Sequence, residues 1–236
     1  MTDCPAPNAH EQPILNDLPS AATNLPQALH DAGLQLEPRQ VELLDRYRET
    51  LWNWNEKLNL TRHTTYEKFA CRDVVDSLEL AKLLQLRERV LDIGTGGGAP
   101  GLILAICRPD LRIKVCESTQ KKARVVQAIV EELQLPVEVF ACRAEEVLEL
   151  RTFDSLVARA VASMAKILTW VEPHWAAFDR LLLIKGQRWT EERGEARHHG
   201  LLKHRQLRKA ATYLTPGTEA ENVILSIVLE SARDGK

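Results

Sequence analysis

The chain has 236 residues, 44% hydrophobic and 27% charged, with 31 Lys/Arg against 33 Asp/Glu and a formal net charge of −2. That length suits one α/β domain with a modest appendage. No apolar run reaches the roughly 18 residues of a membrane span, and the near balance of charge leaves any nucleic acid to be met by a local patch.

Met1 to Pro19 carries Asp3, Glu11 and Asp17 but no basic residue and no apolar stretch, so no signal peptide is expected and a cytoplasmic location is. The cysteines, Cys4, Cys71, Cys107, Cys116 and Cys142, fall without a Cys-x-x-Cys pair. That pattern predicts reduced thiols and no zinc or other metal site. Residues 1–22 are rich in Pro, Asn and Ala and read as a disordered tail. Helical spacing follows over Leu25–Leu34 and Pro38–Leu60, where Val41, Leu44, Tyr47, Leu51, Trp54 and Leu58 form one stripe. A further helix is expected over Tyr66–Leu84. Residues 23–84 therefore form an N-terminal helical cap, one compact unit with the domain that spans 85–236.

Arg89–Ile93 reads as a short buried strand that runs into a glycine-rich turn, and Pro100 suits the first turn of a helix to Cys107. Strand, loop and helix together make a nucleotide site. The spacing leaves the ligand open. Gly94, Gly96 and Ala99 fit a dinucleotide pattern, as do Gly96, Gly98 and Gly101, while Asp92 with Gly94, Gly96 and Gly98 fits S-adenosylmethionine enzymes. Glu117, at the end of a second strand over Arg112–Cys116, stands where a ribose diol is gripped. A cofactor with an adenosine half is expected.

Beyond Glu117 the pattern alternates: helix Gln120–Leu133, strand Val137–Cys142, a short helix from Ala144, strand Phe153–Ala158, helix Ser163–Ala176 and strand Arg180–Lys185. Such alternation means a mostly parallel sheet with helices on both faces. Lys209–Leu214 and Val223–Leu229, separated by Thr215-Pro216-Gly217, then read as an antiparallel pair, for seven strands in all. That ending favours a Rossmann-like class I methyltransferase over a dinucleotide dehydrogenase.

Seven short motifs carry a resemblance: Asn59-Leu60-Thr61; Arg72 with Asp76-Ser77-Leu78; Asp92-Ile93-Gly94-Thr95-Gly96 through Pro100-Gly101; Glu117-Ser118 with Lys121-Lys122; Arg143-Ala144-Glu145-Glu146; Ala158-Arg159-Ala160-Val161-Ala162; and Lys185-Gly186. From about Leu51 to Leu229 the chain resembles the bacterial 16S ribosomal RNA guanine-N7 methyltransferases (RsmG, also called GidB). The resemblance implies methyl transfer from S-adenosylmethionine to N7 of a guanine in a loop of 16S ribosomal RNA, on the RNA or the small ribosomal subunit, by a monomer. It implies a cofactor site of Gly94 and Ala99 by the methionine and ribose, Glu117 on the ribose hydroxyls, Ala144 and Glu145 beside adenine, and Arg159 next to the arriving base. Two departures stand out. Asp73 replaces a usual histidine, and Ala99 a usual Phe or Leu, which predicts a roomier cleft.

The missing motifs agree with that chemistry. The chain has neither the Asn/Asp-Pro-Pro-aromatic sequence of amino-group methylases nor a Pro-Cys pair for C5 chemistry. Arg143, Arg159 and Lys185 are candidates for O6 or phosphate contacts, with Lys121 and Lys122 at the rim. Residues 185–209 hold eight Lys/Arg against three Glu, whereas residues 1–60 hold nine acids against four bases, so RNA is expected on the C-terminal side. His198, His199 and His204 are expected in solvent or facing phosphate. The competing readings predict other things: a closed apolar pocket for a small-molecule or protein methyltransferase, NAD binding for an oxidoreductase, and no cofactor binding for an RNA-binding module. A structural reading of Arg159 would pair it with Asp92 or Asp154.

Overall fold

The computed structural model describes residues 22–230; the tail expected over residues 1–22 lies outside them apart from Ala22. Seven strands form one sheet: β1 Arg89–Ile93, β2 Arg112–Cys116, β3 Glu138–Phe140, β4 Phe153–Arg159, β5 Phe178–Lys185, β6 Arg205–Leu214 and β7 Glu221–Leu229. Their spatial order is β3-β2-β1-β4-β5-β7-β6. The first five run parallel, and β7 enters antiparallel between β5 and β6. The expected seven-stranded Rossmann-like fold with its antiparallel C-terminal pair is what the chain adopts.

The central strands are buried on both faces, which is why β1 and β4 read as apolar runs rather than alternating ones. One face is covered by the helical cap, by α5 (Gly101–Cys107) and by α6 (Gln120–Leu133); Leu25, Leu44, Tyr47, Leu51 and Phe69 share a core with Ile103, Val126 and Val157. The other face packs α7 (Ala144–Leu150), α8 (Met164–Val171) and α9 (Trp189–His198) over Leu91, Leu156 and Leu183. Among the described residues no helix is long and apolar enough to cross a membrane, and no group of three metal-ligating side chains gathers.

Several elements differ from their expected bounds. Helix α1 (Leu25–Asp31) stops short of Leu34, because Gly33 turns the chain at φ +73°. Helix α2 (Pro38–Asn55) ends short of Leu60 because the Asn55 side chain accepts the N–H groups of Leu60 and Thr61, 2.8 and 3.0 Å away, and peels that segment off the helix. The expected helix over Tyr66–Leu84 divides into a turn of α3 (Tyr66–Lys68), a π-helical stretch Phe69–Val74 and α4 (Val75–Ala81). Ser163 caps α8 rather than joining it, and Pro173 lies in a 3₁₀ turn, Glu172–Ala177, that replaces the end of the predicted helix. Helix α9 was not expected: its sequence is mostly polar, with only Ala196 buried, and carries too weak a stripe to read.

Candidate active site

Strand β1 ends at Ile93 in the glycine loop, and the sequence there reflects the space available. Gly94 adopts φ +65°, and a Cβ on it would lie 2.6 Å from Val161 Cγ1. At Gly101, the first residue of α5, a Cβ would meet Val115 Cγ1 at 2.5 Å. The last turn of β1 is tied to the loop by Asp92, whose Oδ2 accepts from Thr95 Oγ1 (2.6 Å) and Gly101 N (2.9 Å). Burial pushes the Asp92 carboxyl up to about 6, with the Thr95 and Gly101 bonds opposing. Glu117, at the end of β2, accepts from Gly96 N (3.1 Å) and Thr119 N (2.7 Å).

Two clefts open at the carboxyl ends of the parallel strands. The first, of about 400 Å³, is lined by Gly94, Gly96, Ala99, Glu117, Thr61 and Asp73. It continues past Gly94, Ser118 and Trp170 into a recess of about 230 Å³ flanked by Cys142, Arg143, Ala144 and Glu145. All the expected cofactor-binding positions therefore lie along one groove. A glycine turn with no room for a Cβ at Gly94 or Gly101, and with a buried carboxylate facing it from the next strand, fits an adenosine cofactor. Arg143 sits at the rim of the recess, exposed, before the first residue of α7.

The second cleft, of about 530 Å³, lies between β4, β5, β7 and α9, and Arg72, Asp76, Lys185, Glu195 and Asn222 are among its lining residues. The two clefts share Arg159, Ala160 and Val161. Ala160 holds φ +54°, a left-handed conformation that costs a non-glycine residue about 1–2 kcal/mol. Strain of this sort persists where surrounding contacts impose it.

Arg159 pairs with neither Asp92 nor Asp154. Its guanidinium is clamped by Asp73 and, at 3.2 Å, by Asp76, and also donates to the Arg72 carbonyl at 3.3 Å; Asp154 is taken by Arg89. His63 Nδ1 lies 2.9 Å from Asp73 Oδ1, and Tyr213 donates its O–H to Asp76 at 2.7 Å. The π-helical stretch contains Asp73, and α4 contains Asp76; three residues apart, the two carboxylates share a face and reach one guanidinium. Burial works against the Arg159 charge, but the two carboxylates outweigh it and hold the group charged. Burial likewise pushes Asp73 up, and the Arg159 charge and the His63 bond bring it below the usual carboxylate value. The second oxygen of Asp73, Oδ2, is buried without a partner.

Lys185 lines the second cleft but is buried and spent, pairing with Glu192 at 2.8 Å and donating to the Ala162 carbonyl at 2.8 Å. Lys122 lines the first cleft, while Lys121 is exposed outside it. His198, His199 and His204 are exposed. Sequence reading missed Trp170 and Tyr47. Tyr47 donates to the Gly97 carbonyl at 3.0 Å and so braces the glycine loop from the cap. As one member of an apolar stripe, it carried no signal that separated it from core.

Comparison with known proteins adds a family, two relatives and two solved structures. The family model described as rRNA small subunit methyltransferase G matches residues 40–216. A protein of Rhodopirellula baltica named ribosomal RNA small subunit methyltransferase G is 52% identical over 186 residues, covering 79% of this chain and 80% of that one. One of the same name from Chromobacterium violaceum is 32% identical and covers 87% and 97%. Among solved structures, M. capricolum TrmK in complex with S-adenosyl-homocysteine superposes with a TM-score of 0.52 at 15% identity, covering 68% of this chain and 70% of that one. A mutant of MtNAS in complex with S-adenosylmethionine gives 0.52 at 17%, covering 81% and 76%. At those identities the likeness is one of fold.

Proposed function

The chain belongs to the rRNA small subunit methyltransferase G family, and from that premise we propose that it transfers a methyl group from S-adenosylmethionine to N7 of a guanine in 16S ribosomal RNA. The observation that carries this reading is the meeting of two clefts at Arg159–Ala160–Val161, one shaped for an adenosine cofactor and one wide enough for a base. In this reading Gly94 and Ala99 border the methionine and ribose, Glu117 holds the ribose hydroxyls, and Ala144 and Glu145 flank adenine. The enzyme acts as a single chain in the cytoplasm, and the cap and the sheet domain work as one body.

When bound, S-adenosylmethionine supplies an electrophilic methyl group on a positively charged sulfur. Guanine N7 carries a free lone pair, so the chain need remove no proton, and its work is to hold the reacting atoms in line. Such positioning supplies on the order of 7–11 kcal/mol. The strained turn at Ala160 fixes the wall that both clefts share. Asp73 and Asp76 hold the Arg159 guanidinium in one position beside the place where the two clefts meet. A charged group fixed there in advance needs no reorganisation as charge moves from sulfur to the base.

The test is transfer from labelled S-adenosylmethionine to small-subunit particles and to deproteinised 16S RNA, with the product nucleoside identified by mass spectrometry. The expected product is 7-methylguanosine at a single site. Cofactor binding without transfer to either substrate overturns the reading.

A further inference from the structure

The second cleft contains four carboxylates, and three are spent within the protein. Asp76 is held by Arg159 and Tyr213, Glu191 by Arg188 at 2.9 Å, and Glu192 by Lys185 at 2.8 Å and the Met164 N–H at 2.7 Å. The side chain of Glu195, exposed on α9, has neither an ion-pair nor a hydrogen-bond partner among the described residues. Beside it, on β7, stands a second group with capacity left. Asn222 is buried as a residue, and its Nδ2 donates to Thr215 Oγ1 at 2.8 Å; its Oδ1 stays accessible and accepts from no group among the described residues. An accessible amide oxygen that no protein donor uses is free to accept from a ligand.

The cations of the cleft divide in the same way. Arg159, Lys185 and Arg188 all face carboxylates, whereas the Arg72 guanidinium bonds to the neutral Thr215 hydroxyl, at 2.9 Å, and keeps its charge uncompensated. One free cation and two free acceptors therefore surround a space that adjoins the cofactor groove at Arg159–Val161.

Guanine has a matching distribution. Its N7 and O6 are adjacent acceptors, and its N1–H and N2–H₂ donors point away from N7. With N7 turned toward the Arg159–Val161 junction, the donor edge faces the wall made by α9 and β7. We propose that Glu195 and Asn222 Oδ1 accept from N1–H and N2–H₂ while Arg72 donates to O6, so that these three residues select guanine; the proposal rests on the methyl-transfer reading above. A carboxylate accepting two parallel N–H bonds is strong and directional. Adenine would turn an amino group toward Arg72 and a bare N1 toward Glu195, leaving Arg72, Glu195 and Asn222 Oδ1 without partners on the base.

The experiment uses small-subunit particles reconstituted with 16S RNA carrying guanosine or inosine at the methylated position. Inosine keeps N7, O6 and N1–H and lacks only the N2 amino group. Single-turnover transfer is measured for the wild type and for Glu195→Ala, and each protein's affinity for S-adenosylmethionine is measured by calorimetry. The wild type is expected to lose about 10–100-fold in rate on inosine, the scale of one hydrogen bond to a charged group. Glu195→Ala is expected to lose about as much on guanosine, to treat the two bases within a few-fold of each other, and to bind the cofactor as the wild type does. Equal use of the two bases by the wild type, or undiminished discrimination by Glu195→Ala, overturns the proposal. No transfer to guanosine by the wild type overturns the functional reading itself.

Discussion

The two ends of the parallel sheet hold similar charged groups in opposite conditions. At the amino ends, the Glu88 carboxylate accepts from Arg180 at 2.9 Å and from Ser155 and the Gln85 N–H; Arg180 donates as well to Ser155 Oγ at 2.7 Å and to the Leu83 carbonyl at 2.9 Å. Neither Glu88 nor Arg180 contributes an unpaired buried atom. At the carboxyl ends, Arg159 is clamped just as closely, yet Asp73 Oδ2 and Asp92 Oδ1 are buried without partners. A network that spends every bond on itself holds the fold, and one that leaves atoms over at a cleft is arranged for something else.

That contrast makes three predictions. The largest effect comes from removing either arginine. Arg159→Met and Arg180→Met each strand a buried carboxylate, at a cost of about 3–5 kcal/mol in chemical denaturation. They part in function. Molecules of Arg180→Met that remain folded should bind S-adenosylmethionine and transfer methyl at the wild-type rate, whereas Arg159→Met should be slower by a factor of about 100 or more in single turnover. Equal losses of rate in both would erase the distinction between the two ends.

The next effect is a pH dependence. Burial raises the Asp92 carboxyl to about 6 in the folded state, above its unfolded value near 3.9. The folded protein therefore binds the proton more tightly, and the stability so gained is full below about pH 4 and lost as pH rises through about 6. Asp92→Asn removes this titration, so the wild type should lose up to about 3 kcal/mol relative to that variant between pH 4 and pH 7. A stability difference that stays flat over that range would show that Asp92 is ionised throughout.

The smallest effect is at Ala160. Glycine there relieves the left-handed conformation and should gain up to about 1 kcal/mol in thermal unfolding, offset in part by a freer unfolded chain. Transfer should slow, because the turn that both clefts share would no longer be held in one geometry. A variant both more stable and equally fast would mean that the strain serves no purpose in the site.

Much of the fold could be read locally. The strand and helix alternation from Arg89 to Lys185 follows from period, from Pro100 and from the glycines, and the structure moves most of those boundaries by only a few residues. That the positions proposed for the cofactor fall along one groove could be read for the same reason: loop, acid and the residues after β3 all sit at strand ends, so chain order alone brings them to one edge. Helix α9 was not legible, since a surface helix that buries a single alanine has almost no apolar stripe. The cleft it completes was missed along with it, and Lys185 was expected to face a ligand when a glutamate of that helix neutralises it.

What the sequence by itself determined is the parallel sheet, its antiparallel ending and the position of the glycine loop, because period, turn residues and the order of elements are each written in short stretches of the chain. The partners of Arg159 were decided only by the tertiary structure. Asp73 and Asp76 lie 86 and 83 residues away along the chain, and they face Arg159 because the end of β4 is packed against the helical face that carries both. Periodicity predicts which face of a helix is buried. It carries no information on which charge, from another element, will be buried against that face.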